Sequence, residues 1–435
     1  MSVDKEYVQS YQNDTILMTK RKKMSRCYQL IVIGSGAAGM MAAITAAREG
    51  KKVLLLEKLS KIGAKLKATG GGRCNLTNTL DNEEFMRRFG RDGRFMSPAL
   101  EALDHKALMQ FFSDIGVESH APDGYRVFPV THSSSTIINA MEEEMQRLGV
   151  TVLCGQKAQS LEHDGVRVTG VQTQADVFYV HNVVIASGGM GYPLLGAEGD
   201  GYPMAKAVGH KVTDLYPAMM PLKVKEKWVE NCRADTIAKV AIRVDMKKYK
   251  KLQAKGDLIF TKGGIRGPVV LDFSREITPL LAKFDEVPVL ANLTKGMNEE
   301  QIRQHFKKAL EKNPHQNTLD LLLTLLPMSV SIELCILANI EPSLSLNKQK
   351  GVNRDTLIRL LAWTPLTING HDGFKMAMIT RGGIDLKEID PYTMQSKKLG
   401  GLYFCGEIVN IDGPCGGYNL QWSFASGYLA GKSIK

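Results

Sequence analysis

The stretch Tyr28-Gln-Leu-Ile-Val-Ile-Gly-Ser-Gly-Ala-Ala-Gly-Met-Met-Ala-Ala-Ile-Thr-Ala-Ala-Arg-Glu-Gly50, continued by Lys51-Lys-Val-Leu-Leu-Leu-Glu57, decides the fold. Residues 28–33 are apolar and β-branched, which reads as a buried strand. Gly34-Ser-Gly-Ala-Ala-Gly39 is a turn, residues 40–49 a helix ended by Gly50, and residues 52–56 a second strand that ends in Glu57. This is a GxGxxG fingerprint in its strand–turn–helix–strand context, with an acid 18 residues beyond Gly39. Gly34 permits the tight turn, Gly36 lets the backbone approach a pyrophosphate, and Gly39 brings helix and strand close. Ser35, Ala37 and Ala38 complete the turn, whose free N–H groups face the phosphates. Glu57 accepts from ribose hydroxyls, with Lys58 beside it. An acid at this position disfavours a 2′-phosphate, so FAD or NAD is expected here in preference to NADP.

Downstream, Lys58 to Lys67 lead into Ala68-Thr-Gly-Gly-Gly-Arg-Cys-Asn-Leu-Thr-Asn78, three glycines followed by a crowd of donors. Such a loop can lie against a phosphate or an isoalloxazine ring. The run from Gly34 to Asn78, above all Gly63-Ala-Lys and the segment 68–78, resembles the BaiN-like flavoproteins. These are bacterial and archaeal FAD enzymes described as bile-acid dienone reductases or aminoacetone oxidases. In that family the loop covers the flavin. The resemblance therefore implies that Gly71, Gly72, Arg73, Cys74 and Asn75 lie near the ring, and Thr77 joins them as a further cofactor candidate. No second cysteine neighbours Cys74 in sequence, so packing or hydrogen bonding is its expected role.

Further along, Tyr125-Arg-Val-Phe-Pro-Val130 precedes a helix at 137–148, capped by Thr131 or one of the following serines. The family shares the Arg-Val-Phe-Pro segment near its cavity. Arg126 is a candidate for steering an anionic or carbonyl substrate, with a structural ion pair as the alternative. Strands are expected at 150–154, 166–172, 177–181 and from Asn182, the last ending in Ala186-Ser-Gly-Gly189. In two-dinucleotide-fold flavoproteins such a segment packs on the cofactor, which makes Ala186, Ser187 and Gly188 candidates.

The character changes near Lys211. Residues 258–268 and 269–273 read as β-like around a glycine turn, 286–292 as a strand, and 299–310, 317–326, 330–339 and 355–361 as helices. Gly263-Gly-Ile-Arg-Gly267 is expected to lack a flanking helix, so no second dinucleotide domain is foreseen. The C-terminal return contains a strand ending in Gly406-Glu407, then Asp412-Gly-Pro-Cys-Gly-Gly-Tyr-Asn-Leu-Gln-Trp422 and a helix. This block resembles the family's C-terminal signature, except that Cys405 and Cys415 stand where Ala and Thr are common, which argues against a redox pair there. A helix beginning near Leu420 would aim its N–H groups at the ring and stabilise the anionic reduced flavin. Gly406, Glu407, Asp412, Gly413, Gly417, Tyr418, Asn419 and Leu420 complete the cofactor candidates. Tyr418, Arg126 and His132 are the candidate acid–base residues.

The expected fold is thus α/β: a discontinuous Rossmann-like FAD-binding domain (27–210 and 375–435) with an inserted β-rich domain (211–297 and 362–374) carrying a helical subdomain (298–361). Residues 1–26 read as a disordered extension, and Met24 is an alternative start. The chain has 435 residues, 44% hydrophobic and 23% charged, and no apolar run reaches the ~18–20 residues of a membrane span. Seven scattered cysteines without CxxC indicate free thiols in a reducing compartment, hence a cytoplasmic location, and no metal-ligand spacing is present. Of the net charge of +11, a large part lies between Lys223 and Arg266, where basic residues outnumber acidic ones by roughly eight. A solvated face is the first reading of this excess, with attraction of anionic ligands or of nucleic acid as alternatives. The expected activity is NAD(P)H-driven reduction of an activated C=C or C=O bond in a small molecule through flavin N5. The alternatives are oxidation of a small amine by O₂, an RNA-associated flavoprotein, and a non-catalytic flavin binder. Oligomeric state is not encoded in any motif.

Overall fold

The computed structural model describes residues 28–435; the expectation for residues 1–26 lies outside them. The chain divides into two compact units, one of residues up to Leu215 with Ile379–Lys435, the other Tyr216–Met378. The sequence sets these passages at 210/211 and 374/375. Residues 210–215 stay with the first unit because His210 hydrogen-bonds to Glu388 and Ser396 and Thr213 to Gly383. Met378 N–H donates to Met219 within the second unit.

The first unit is built on a five-stranded parallel sheet in the order Leu402–Phe404, Val183–Ile185, Leu30–Ile33, Val53–Leu56, Thr151–Leu153. Four of these strands are buried at every residue, and Thr151–Leu153 is half-buried. Strands covered on both faces need no polar alternation, hence their continuous apolar runs. The helix of the fingerprint, Ala37–Arg48, starts three residues earlier than its sequence reading, at the turn itself. A separate three-stranded sheet contains Val168–Thr173 and Val177–Tyr179, near the strands expected at 166–172 and 177–181, together with Ala158–His163, where no strand was expected. The helix Ser134–Arg147 begins at Ser133, whose side chain makes no capping bond; Thr131 Oγ1 accepts from Ser133 N–H and pairs with Thr136.

The second unit is a closed antiparallel barrel of Leu222–Val224, Gly264–Arg266, Gln253–Thr261, Thr236–Val244, Val287–Asn292 and Thr364–His371. Helices Glu299–Lys312, Thr318–Leu322, Met328–Leu337 and Gly351–Ala362 share its core. One expectation is overturned. Residues 269–273 are not β-like: Pro268–Phe284 is a helix, with Pro268 in its first turn and Gly267 before it at φ 106. Proline is preorganised for that position, and this outweighs the β-branched Val269-Val270. Gly263 to Gly267 therefore does have a flanking helix. Its strand, however, lies antiparallel in a closed barrel, so the segment is no dinucleotide turn.

Candidate functional site

Strand Leu30–Ile33 delivers the chain to Gly34, which takes φ +100, a conformation that glycine adopts freely. A Cβ at Gly34 would stand 2.7 Å from the Ala186 carbonyl oxygen, and one at Gly39 would stand 1.9 Å from that of Gly34. Protein packing alone demands these two glycines, and it is the segment at Ala186-Ser187 that packs on the turn. Gly36 differs. Its backbone is extended, and no atom lies within 4 Å of the place a Cβ would occupy. The open space in front of it, at the N-terminus of a buried 12-residue helix, could hold a phosphate group.

Glu57 closes this cradle. One carboxylate oxygen accepts from Ser35 N–H at 3.0 Å and from the Ser35 hydroxyl, the other from Leu59 N–H at 2.8 Å. An ionised carboxylate offers about four acceptor positions, so one is left that a ribose hydroxyl could fill. Ser187 Oγ is buried without a hydrogen bond and shares a cavity with Gly34, Glu57, Lys58 and Asp200. An unmet hydroxyl in one cavity with Glu57 fits a dinucleotide whose oxygens would satisfy it. Lys58 pairs with Glu198 at 2.6 Å and Asp200 at 2.5 Å, and Asp200 also pairs with Lys157 at 2.8 Å. Burial opposes the charge on Lys58, but the hydrogen bonds to Asp200 and Glu198 outweigh it and hold the ammonium above its usual pKa.

The glycine-rich loop and the C-terminal block meet in a second patch of the same unit. Gly71, Gly72 and Gly188 have open Cβ positions. Asn75, with its carbonyl oxygen toward Gly417, accepts from Gly417 N–H at 3.0 Å and donates to the carbonyls of Thr77 and Val127. Asn78 donates to the Gly416 carbonyl at 2.8 Å. Asn419 and Gly413 exchange two bonds, 2.8 and 2.9 Å, so that Asn419 holds its own loop. Asp412 stands 3.8 Å from Arg381. Glu407 accepts from Lys65 at 2.7 Å and from Thr380 N–H at 2.8 Å, and Gly406 N–H donates to Ser426. Arg73 lies over the Phe128 ring. Burial pushes the Cys74 thiol up to about 12, against a hydrogen bond with Thr69, which keeps it protonated and matches a packing role. The final helix, Tyr418–Lys432, begins before Leu420, so Tyr418, Asn419 and Leu420 form its first turn.

That helix joins the two ends of the chain. A Cβ at Gly427 would stand 2.3 Å from the Ala38 carbonyl oxygen, and one at Gly431 would stand 2.5 Å from that of Ala42. The Gly-x-x-x-Gly spacing thus presses the last helix directly onto the fingerprint helix. The spacing is legible in the sequence and was the signal for a contact that the motif reading missed.

The three acid–base candidates separate. Tyr418 is buried between Phe85 and Phe89, ring centroids 4.9 and 5.8 Å away, and its hydroxyl lies 2.5 Å from that of half-buried Tyr125. Arg126 is exposed and ion-paired with Asp123 at 2.7 Å, a bond that holds the Asp123 carboxyl down at about 2. His132 sits at φ 49 with its Nε2 3.0 Å from that of His120. The sequence reading missed Tyr125, Lys65 and Thr380, whose partners are distant along the chain. Among the described residues no group of three metal-ligating side chains occurs, and no helix is long and apolar enough to cross a membrane.

The HI0933-like protein Rossmann domain matches residues 28–433. The 3-dehydro-bile acid delta(4,6)-reductase of Clostridium scindens is 32% identical over 92% of this chain and 98% of its own. The ribosomal RNA dihydrouridine synthases of Haemophilus influenzae and Escherichia coli are 27% and 28% identical, each over 94% of this chain and 99% and 98% of their own. The 3-ketosteroid delta1-dehydrogenase of Sterolibacterium denitrificans superposes with a TM-score of 0.52 at 12% identity, covering 94% of this chain and 99% of that one, a likeness of fold alone. With the family match running over residues 28–433, the chain belongs to the HI0933-like Rossmann family of FAD-binding proteins and is an FAD-dependent oxidoreductase.

Proposed function

We propose that this oxidoreductase takes hydride from NADH or NADPH and adds it to a C=C or C=O bond of a small molecule, polarised by a neighbouring acceptor group. Bound FAD supplies hydride transfer at N5. Gly36 and the N-terminus of Ala37–Arg48 would hold its pyrophosphate, and Glu57 its ribose. The single observation that carries the reductase reading is the Tyr125–Tyr418 hydroxyl pair. Reduction of a conjugated bond needs a proton as well as a hydride, and a neutral phenol is a proton donor rather than a base for an amine. Tyr418 Oη holds that proton, Tyr125 Oη connects it to the half-exposed side, and Phe85 and Phe89 keep water from the Tyr418 ring. Two further considerations support the reading. The bile-acid relative is named a reductase, and a reduced C=C bond is also implicit in the name dihydrouridine synthase.

The test is anaerobic turnover of NADH or NADPH with a panel of enones and dienones, with products examined by mass. Gain of two hydrogens by the substrate supports the proposal. Oxidation of an amine with consumption of O₂, and no reduced enone, refutes it.

A second reading has its own observation. Two relatives named for ribosomal RNA match nearly the whole chain, and exposed Lys247, Lys248, Lys250 and Lys251, at the turn between barrel strands Thr236–Val244 and Gln253–Thr261, enter no ion pair among the described residues. Reduction of a uracil ring within RNA is the same chemistry on a larger substrate. A steep fall of RNA affinity with salt would favour it, since each phosphate contact releases counterions.

A further inference from the structure

Helix Met328–Leu337 of the second unit is unlike any ordinary surface helix. Its exposed residues are Met328 at 49%, Ile332 at 38%, Ile336 at 64% and Leu337 at 43%, all apolar. Its single charged residue, Glu333, is buried and accepts from Asn231 at 2.8 Å. Met328, Ile332 and Ile336 follow one another at i, i+4 and i+8, which makes a straight apolar stripe on the outward face. The opposite face, Val330, Ser331, Leu334 and Cys335, is already occupied by the unit's own core. Val352, 74% exposed, lies near the C-terminal end of the stripe, where neighbouring Asn353 donates to the Asn339 carbonyl just beyond the helix.

We propose that this stripe is the interface of a two-fold dimer of the chain. Three features select a second copy. The first is area: the five side chains expose on the order of 500 Å², at the upper end for a lone apolar patch on a monomer. Doubled by a two-fold axis, they approach the ~1,000 Å² that a specific interface needs. The second is charge. In a chain of net charge +11, residues 313–347 contain no Lys or Arg and three acids, Asp320, Glu333 and Glu341, and basic residues, Lys348, Lys350 and Arg354, stand only at the Val352 end of the stripe. An anionic membrane surface or a nucleic acid would call for basic residues around the stripe. The third is shape. A straight i, i+4, i+8 row matches itself when turned through a two-fold axis, so one patch serves both subunits.

The FAD-loaded protein is measured by sedimentation velocity across micromolar concentrations, as wild type, Ile336→Glu and Ile336→Ser. We expect a wild-type dimer, a rise of ~30-fold or more in its dissociation constant for Ile336→Glu, as for an interface hot spot, and a smaller rise for Ile336→Ser. Flavin content of the monomeric variants should match wild type, because Ile336 is 64% exposed and lies on the face of its helix opposite the unit's core. A wild-type monomer at every concentration overturns the proposal, whether or not it sediments with phosphatidylglycerol vesicles or RNA. A dimer that both substitutions leave intact overturns it equally.

Discussion

Gly36 and Gly39 lie in one turn, yet replacing each by alanine should have opposite consequences. At Gly36 the backbone is already extended and nothing lies within 4 Å of a Cβ. The apoprotein should fold normally, with a stability change within ~0.5 kcal/mol. The methyl group would instead occupy the space assigned to the pyrophosphate. Forcing the ligand back should cost ~1–3 kcal/mol, or ~5–150-fold in FAD affinity. At Gly39 a Cβ would meet the Gly34 carbonyl oxygen at 1.9 Å. The helix must then move away by more than an ångström, which should remove ~3 kcal/mol or more from the apoprotein itself. Urea unfolding of each apoprotein, repeated with added FAD, separates the two effects. Wild type should gain ~2.7 kcal/mol at a hundredfold excess over its dissociation constant, and Gly36→Ala far less at the same concentration. A Gly36→Ala protein that binds FAD like wild type would refute the assignment of the cradle.

Tyr418→Phe should lower the rate of enone reduction ~100-fold or more while leaving flavin reduction by NAD(P)H unchanged, as measured by separate half-reactions; equal loss in both would mean a structural effect. Gly427→Val should lower apoprotein stability by ~3 kcal/mol or more in thermal melts, because its Cβ would press into the Ala38 carbonyl at 2.3 Å. Glu144, buried on helix Ser134–Arg147, is bonded by Arg147 and, from the fingerprint helix, by Arg48. The hydrogen bond from Arg147 lowers its pKa most, burial opposes, and Arg48 adds to the lowering. A carboxyl with a depressed folded pKa stabilises fully above its unfolded value, near 4.5, and loses that contribution as pH falls through the lower folded value. Arg48→Met should reduce this acid dependence and cost ~1–2 kcal/mol at neutral pH by chemical unfolding.

The dinucleotide turn was legible because its requirements are local: a strand, three glycines and a helix lie between Leu30 and Arg48, with packing reasons for Gly34 and Gly39 and open space at Gly36. The cofactor loops could be recognised by their glycines and donors, but not their connections. Asn75 to Gly417 and Tyr125 to Tyr418 are pairings between distant segments that no local pattern specifies. Arg126 and His132 looked reactive as isolated residues, whereas the fold gives them Asp123 and His120 as partners. Helix Pro268–Phe284 was obscured by Val269-Val270 at its start and Pro279 in its interior, both of which argue against a helix locally; the barrel core on which it packs decides the matter. Glycines 427 and 431 lower intrinsic helix propensity, and their value is visible only once Ala38 and Ala42 are opposite them.

The most direct test of the functional reading is a rapid anaerobic mix of the FAD-loaded protein with NADH, and separately with NADPH. The proposal predicts bleaching of the flavin's visible band with one of the two, followed by its return when an enone is added without oxygen. A flavin that neither nucleotide reduces, but that an amine does, would contradict it.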